Sequence, residues 1–204
     1  AGVLSIESGG SLASSSISVA NLAALNVQSG GLLNTTSSVS LDGVLNLLGS
    51  NVVLGSLNGA STGRVNLDGT ALTLGAGVFN GVIADLSASG SIEKVGAGSL
   101  VLNGVNTFAG STSVTGGVLQ VGAAGALASV DLIVGSGARF NLASGGQIPV
   151  DTRLVADGTA AFNAPSLTIG SLTGAGRVGL NGTEISLSTG AFAGQIEDEG
   201  GVGS

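Results

Sequence analysis

Apolar and polar residues alternate in short bursts along almost the whole chain. The clearest are Leu100-Val101-Leu102, Thr112-Ser113-Val114 and Val118-Leu119-Gln120-Val121, each bounded by Gly or Asn-Gly. Period-2 alternation puts Leu100 and Leu102 on one face of a strand and Val101 on the other. The same pattern predicts strands at Val3 to Ile6, Ile17 to Val19, Leu25 to Val27, Val39 to Leu41, Leu45 to Leu47, Val65 to Leu67 and Leu72 to Leu74. Ala20 to Leu25 is the nearest approach to a helix, and it is too short to hold alone. The chain reads as all-β.

Spacing decides between hairpins and coils. Asp-Gly, Asn-Gly and Gly-Gly pairs suit hairpin turns. Against that, Leu100 and Leu102 recur as Leu119 and Val121, and Gly98, Gly117, Gly137, Gly158 and Gly182 open successive alternations. Like strands returning about every 20 residues mark a chain that coils above itself. About ten coils are expected, stacked at about 4.8 Å into a rod on the order of 45 Å long. This is a parallel β-helix, or solenoid, with Leu72, Leu74, Leu100, Leu102, Leu119, Val121, Ile185 and Leu187 expected inside.

A larger repeat overlies the coils. Residues 1–15 match 116–129, 25–30 match 132–137, and 54–85 match 169–198 with one two-residue gap. The chain therefore divides into a first unit at 1–115 and a second, truncated unit at 116–204, expected to form one continuous solenoid. Residues 54–85 and 169–198 should follow the same path, with the extra two residues held in the turn Ala60-Ser61-Thr62-Gly63. In both copies an Arg precedes an Asp at the same separation, Arg64 with Asp85 and Arg177 with Asp198. That separation is close to one average coil and would stack each pair into a salt bridge. The alternative is four solvated charges that share spacing because the copies are related. The second copy stops near Gly200 to Ser204, which points to a parent with further tandem units. The start at Ala1, with neither Met nor a basic leader, reads as an excised piece whose signal peptide lies elsewhere.

The stretch Val95 to Leu127 resembles the autotransporter-associated β-strand repeat, also called the passenger-associated transport repeat. That pattern runs G-x-G-x-L-x-L-x-G, then N-T-aromatic-x-G, then T-x-V-x-x-G-x-L-x-V. Here it is filled by Gly96, Gly98, Leu100, Leu102, Gly104, Asn106, Thr107, Phe108, Gly110, Thr112, Val114, Gly117, Leu119 and Val121. Phe108 stands where the family usually has Tyr, and Ser111 where it tends to have a second Gly. The resemblance implies a right-handed parallel β-helix in a secreted bacterial surface protein, a hand that the general rule for parallel crossovers also favours. It implies no enzyme activity.

Composition narrows the chemistry. The 204 residues include 38 Gly and 5 Phe but no Tyr, Trp, Cys, Met or His, and only 8% are charged. Thin aliphatic layers suit a narrow coil interior. A net charge of −7 with 5 Lys plus Arg offers no basic surface for nucleic acid. The lack of Cys removes disulfides and thiolate sites and fits a chain that crosses an oxidising periplasm. No apolar run approaches the length of a membrane-spanning helix.

No catalytic, cofactor-binding or metal-ligating residue is assigned, and no cofactor is expected. Carboxylates alone suit calcium, but the G-G-x-G-x-D pattern of calcium β-rolls is absent, and the densest acidic run, Glu197-Asp198-Glu199, reads as a solvated loop. Asp42, Asp68, Asp131, Asp151 and Asp157 read as turn residues, and the many Ser have no His to activate them. Phe79, Phe108 and Phe192 each precede x-Gly; they read as plugs inside corners rather than as an exposed aromatic stripe. The sequons Asn34-Thr35-Thr36 and Asn181-Gly182-Thr183 carry little in a bacterial chain.

The sequence thus predicts a structural stalk or fibre segment of a bacterial cell-surface autotransporter or adhesin passenger, extracellular and assisting passenger folding during secretion. Its expected partners are neighbouring repeats, with self-association into fibres as a further expectation. The alternative is a binding module whose outward Ser, Thr and Asn recognise host glycan, protein or a neighbouring copy. A sugar-processing enzyme is disfavoured by the missing His, Tyr and Trp.

Overall fold

A computed structural model describes residues 2–49 and 51–198. Among these there is no helix, and every strand pair is parallel. Three ladders of strands run along the axis. The first holds β1 (Val3–Ile6), β4 (Ala24–Gln28), β7 (Val44–Leu48), β9 (Arg64–Asn66) and β11 (Val82–Ala84). The second holds β3 (Ser16–Val19), β6 (Ser38–Leu41), the second halves of β8 (Val52–Asn58) and β10 (Ala71–Phe79), then β13 (Ser99–Leu102), β15 (Val118–Val121), β17 (Arg139–Leu142), β19 (Thr159–Phe162), β21 (Arg177–Gly179) and β23 (Gln195–Glu197). The third begins with the pair β2 (Ser11–Leu12) and β5 (Leu32–Leu33). It runs on through the first halves of β8 and β10 to β12 (Ser91–Lys94), β14 (Thr112–Val114), β16 (Asp131–Val134) and β18 (Arg153–Ala156), then the second halves of β20 (Ser166–Gly174) and β22 (Glu184–Phe192). The second ladder crosses every coil, so the chain is a β-solenoid of about ten turns, as its spacing predicts.

Coil length varies while register does not. A short coil carries the chain from Arg64 to its stacked partner Val82, and a longer one from Gly77 to Leu100. The turns absorb the difference. Strand β10 bends to serve two ladders, pairing Leu72 with Ile92 on one and Val78 with Val101 on the other. Gly77 makes the bend at φ 133°, where a Cβ would sit 1.9 Å from the Leu57 carbonyl oxygen, so no other residue fits.

The interior is a column of mostly aliphatic side chains with fully buried Phe79, Phe108, Phe140 and Phe162. The rings do not stack directly on one another: Ala160 lies over Phe140 and Phe162 over Leu142, and the two rings meet edge to face at 6.3 Å. Leu72, Leu74, Leu100, Leu102, Leu119 and Val121 are all fully buried, as alternation predicts. Ile185 and Leu187 depart from the expectation: Ile185 is only partly buried and Leu187 is 45% exposed. Both belong to β22, which pairs with β20 on one side and has no described strand on its other side. Gly182 opens the alternation of β22 as expected, but not on the second ladder with Gly98, Gly117, Gly137 and Gly158; there the glycine preceding β21 is Gly176.

Segments 54–85 and 169–198 carry the same strand series, β8 to β11 in one and β20 to β23 in the other. Ser61 and Thr62 lie in the turn before β9, where the other segment has only Ala175 and Gly176 between strands. The two series nevertheless sit on different faces: β9 and β11 are on the first ladder, β21 and β23 on the second.

If burial in the column carries the stability, Leu102→Ala should lower it by about 2–5 kcal/mol. Leu187→Ala should lose clearly less. Chemical denaturation of the two variants checks this, and equal losses would contradict the inside-outside assignment.

Candidate functional site

The polar groups of this chain mostly join one coil to the next. Asp42 Oδ1 accepts from Ala60 N at 3.0 Å and Asp157 Oδ1 from Ala175 N at 3.1 Å, the same contact at matching positions. Asp85 receives Gly90 N at 2.7 Å and Ala109 N at 2.8 Å, while Asp68 accepts from Ser87 Oγ. A carboxylate between backbone N–H groups is an acceptor already in use. Asp131 departs from the turn reading: it opens β16 and is held by Arg153 in register above it, Nε to Oδ1 and Nη2 to Oδ2 at 2.6 Å each.

That pair is the one-coil Arg–Asp stacking expected of Arg64 and Asp85, found at other residues. Arg64 donates from Nε to Asn66 Oδ1 at 2.6 Å and forms no salt bridge with Asp85. Arg177 pairs with Glu197, and Asp198 Oδ1 accepts from Gly182 N at 2.7 Å. The cause is coil length. These coils are shorter than the Arg-to-Asp spacing, so the position above Arg64 is Val82 rather than Asp85, and that above Arg177 is Gln195 rather than Asp198.

Lys94 is the functional feature that reading by residue type misses. It is 0% exposed and shares the inward parity of Ile92 on β12. Its ammonium donates to Val95 O at 2.7 Å, Gly96 O at 3.0 Å and Gly116 O at 3.0 Å. All three donors are filled, and Gly116 belongs to the next coil, so one side chain ties two turns together. Alternation alone would have placed it inside, since Lys94 shares a strand face with Ile92. Burial pushes this ammonium below the ordinary lysine range.

Asparagines stack on the outer face of the first ladder. Asn26 donates to Ser5 Oγ at 3.4 Å, Asn46 to Asn26 Oδ1 at 2.7 Å and Asn66 to Asn46 Oδ1 at 2.6 Å, with the Arg64 contact ending the row. Asn103 stacks likewise on Asn80 at 2.7 Å. Phe79 and Phe108 are fully inside and Phe192 is partly buried against the core, so the Phe-x-Gly motifs form no exposed stripe. In the acidic run, Glu197 and Asp198 have the partners given above, and Glu199 lies outside the described residues. Among the described residues no three acidic side chains converge on a metal-sized site.

Residues 92–121, which hold Lys94, Asn106 and Phe108, match the family model described as Passenger-associated-transport-repeat. This segment of the solenoid is such a repeat, as its glycine and leucine spacing suggested. A curated relative, the adhesin BmaC autotransporter of Brucella suis biovar 1 (strain 1330), is 32% identical over an alignment of 142 residues that covers 63% of this chain and 4% of that protein. The chain therefore spans a small fraction of the relative's length. No solved structure matches it.

The lowered proton affinity of Lys94 gives a signed pH dependence. Between its folded-state value and the free value of about 10.4, the unfolded chain holds a proton that the folded chain has released. Stability then rises with pH across that window, and the benefit is lost as pH falls through the folded value. The chain has no His, Tyr or Cys and no second Lys. Denaturation at a series of pH values rising toward the free lysine value of about 10.4 should show the wild type gaining on Lys94→Met. A constant difference would contradict the assignment.

Proposed function

We propose that this chain is a structural segment of a bacterial surface autotransporter passenger, extracellular, non-enzymatic and built from tandem units of which 1–115 is one. The observation that carries the reading is the uninterrupted parallel ladder of about ten turns with a passenger-associated transport repeat at its centre. The adhesin relative supports secretion to the cell surface. Units that step one face onward, as β9 and β21 do, would present equivalent residues on successive sides of a longer rod.

The repeat's second role in this reading is to help the passenger fold outside the cell. Each new coil buries its Leu and Val on an existing template and closes one row of hydrogen bonds. Lys94 and Asn106 favour one stacking over a slipped one, because each fills its donors only in register: Asn106 donates to Gly104 O at 2.9 Å and Ala126 O at 3.0 Å. A slip of the strand by two positions, which keeps Lys94 facing inward, would bury an unpartnered ammonium.

Gly104 provides the test, since a Cβ there would lie 1.8 Å from the Gly81 carbonyl oxygen in the coil below. In the full passenger, Gly104→Val, in the turn after β13, should reduce the amount displayed at the cell surface severalfold, while Val101→Thr, on the outward side of β13, should leave it unchanged. Quantitative surface labelling reads this. Equal display of both variants would remove the folding role. The stalk role is tested separately: the isolated chain should scatter X-rays as an elongated rod, and a globular profile would overturn it.

A further inference from the structure

The outer face of the second ladder carries a row of stacked positions: Val101, Gln120, Asn141, Ala161, Gly179 and Glu197. The side chains shrink to a methyl and a hydrogen at Ala161 and Gly179. Beside this gap runs the row Arg139, Thr159 and Arg177, also in register. On its other side are Asn163 and Asn181, just beyond β19 and β21. Two adjoining hollows result, of about 280 Å³ and about 100 Å³, and they share Arg139 and Asn181 as walls. Ala161 is only 2% exposed although it faces outward, because the flanking side chains enclose it.

The charge of this depression is opposite to that of the chain. The protein has 12 Asp plus Glu against 5 Lys plus Arg, yet two arginines line these hollows and no carboxylate does. Glu197, at the rim, is engaged by Arg177. Arg139 has no carboxylate partner among the described residues. Its Nε is fixed on Asn141 Oδ1 at 2.7 Å, which orients the guanidinium and leaves both terminal nitrogens to donate. That contact also uses the Asn141 acceptor and leaves its amide N–H groups available. Asn163 is held by donating to Leu142 O at 3.1 Å. The hollow thus has a preset cation, ringed by amides and the Thr159 hydroxyl, with no aromatic platform: the chain has no Trp or Tyr.

The geometry points to a binding site for one acidic sugar unit, carboxylate- or sulfate-bearing, of a polysaccharide lying along this face. Arg139 meets the anionic group with two parallel hydrogen bonds, and Asn141, Thr159, Asn163 and Asn181 take the ring hydroxyls. Neutral sugars lack the group that Arg139 is positioned to receive. The site gives an outward binding role a place and a ligand class, and it stands apart from the stalk reading, which survives if nothing binds here.

The test is titration of the purified chain with three oligosaccharides of matched length: hyaluronan-derived (carboxylate), heparin-derived (sulfate) and malto-oligosaccharide (neutral). At least one acidic probe should bind and the neutral one should not, with affinity falling as salt rises. Arg139→Gln should weaken that binding at least fivefold. Arg153→Gln removes the same charge from the third ladder and should leave it unchanged. Ala161→Gln, which fills the floor without altering charge, should weaken binding as Arg139→Gln does. Folding of each variant is checked by circular dichroism. Carboxylate-only or sulfate-only binding identifies the source. Binding of neither acidic probe, equal loss in the Arg139 and Arg153 variants, or equal affinity for the neutral probe would overturn the proposal.

Discussion

In a parallel solenoid every backbone N–H and C=O of a strand must find its partner in the coil above or below, about 4.8 Å away. That requirement fixes what can vary. Coil length differs between the short step from Arg64 to Val82 and the long one from Gly77 to Leu100, but the additional residues enter turns and never strands. Side-chain parity then follows from backbone pairing: a residue that points inward in one coil lies over an inward residue in the next. Leu100 over Leu119 over Phe140 is such a column. The hydrophobic interior and the hydrogen-bond ladder therefore specify the same register, and a slip by a single position would turn every Leu of a strand toward water.

The polar residues act within this constraint. Lys94, Asn106, Asp42, Asp85 and Asp157 each bond to a group one coil away, so their partners exist only when the coils are correctly stacked. The asparagine row at 26, 46 and 66 does the same on the outside. Buried or ordered polar contacts of this kind contribute modestly to stability, since water competes for them in the unfolded chain. Their larger effect is to disfavour misregistered coils, which would leave them unpaired. Where the outward row loses its side chains, at Ala161 and Gly179, the ladder is unbroken but the surface is hollow. A binding site can thus be placed on the rod without disturbing the coils beneath it.

Alternation and the regular return of like strands were enough to read the strands, the coiling and most of the inward positions. What they missed has physical causes. Leu187 has the right parity but lies on β22, with no described coil to cover it. The Arg64–Asp85 pair failed because a uniform coil length was assumed, whereas the local coil is shorter and moves Asp85 past the stacked position, which Val82 takes. Lys94 was legible by parity but hidden by reading charge as exposure. The step of equivalent strands from one ladder to the next depends on how β8, β10, β20 and β22 bend, which residue type alone does not specify. The Arg139 hollow needs residues from three coils in register, and no linear motif announces it.

The central claim is the coil-to-coil register, and the absence of cysteine from the chain makes it directly measurable. Val101 and Gln120 are outward register partners on adjacent coils, and Asn141 lies one coil further. Paired strands bring α-carbons to about 4.8 Å, within disulfide range, whereas two coils bring them only to about 10 Å, beyond it. Under mild oxidation the double variant Val101→Cys with Gln120→Cys should form an intramolecular disulfide in the folded chain, and Val101→Cys with Asn141→Cys should not. A cross-link in the second pair and none in the first would contradict the parallel stacking on which the rest of the account depends.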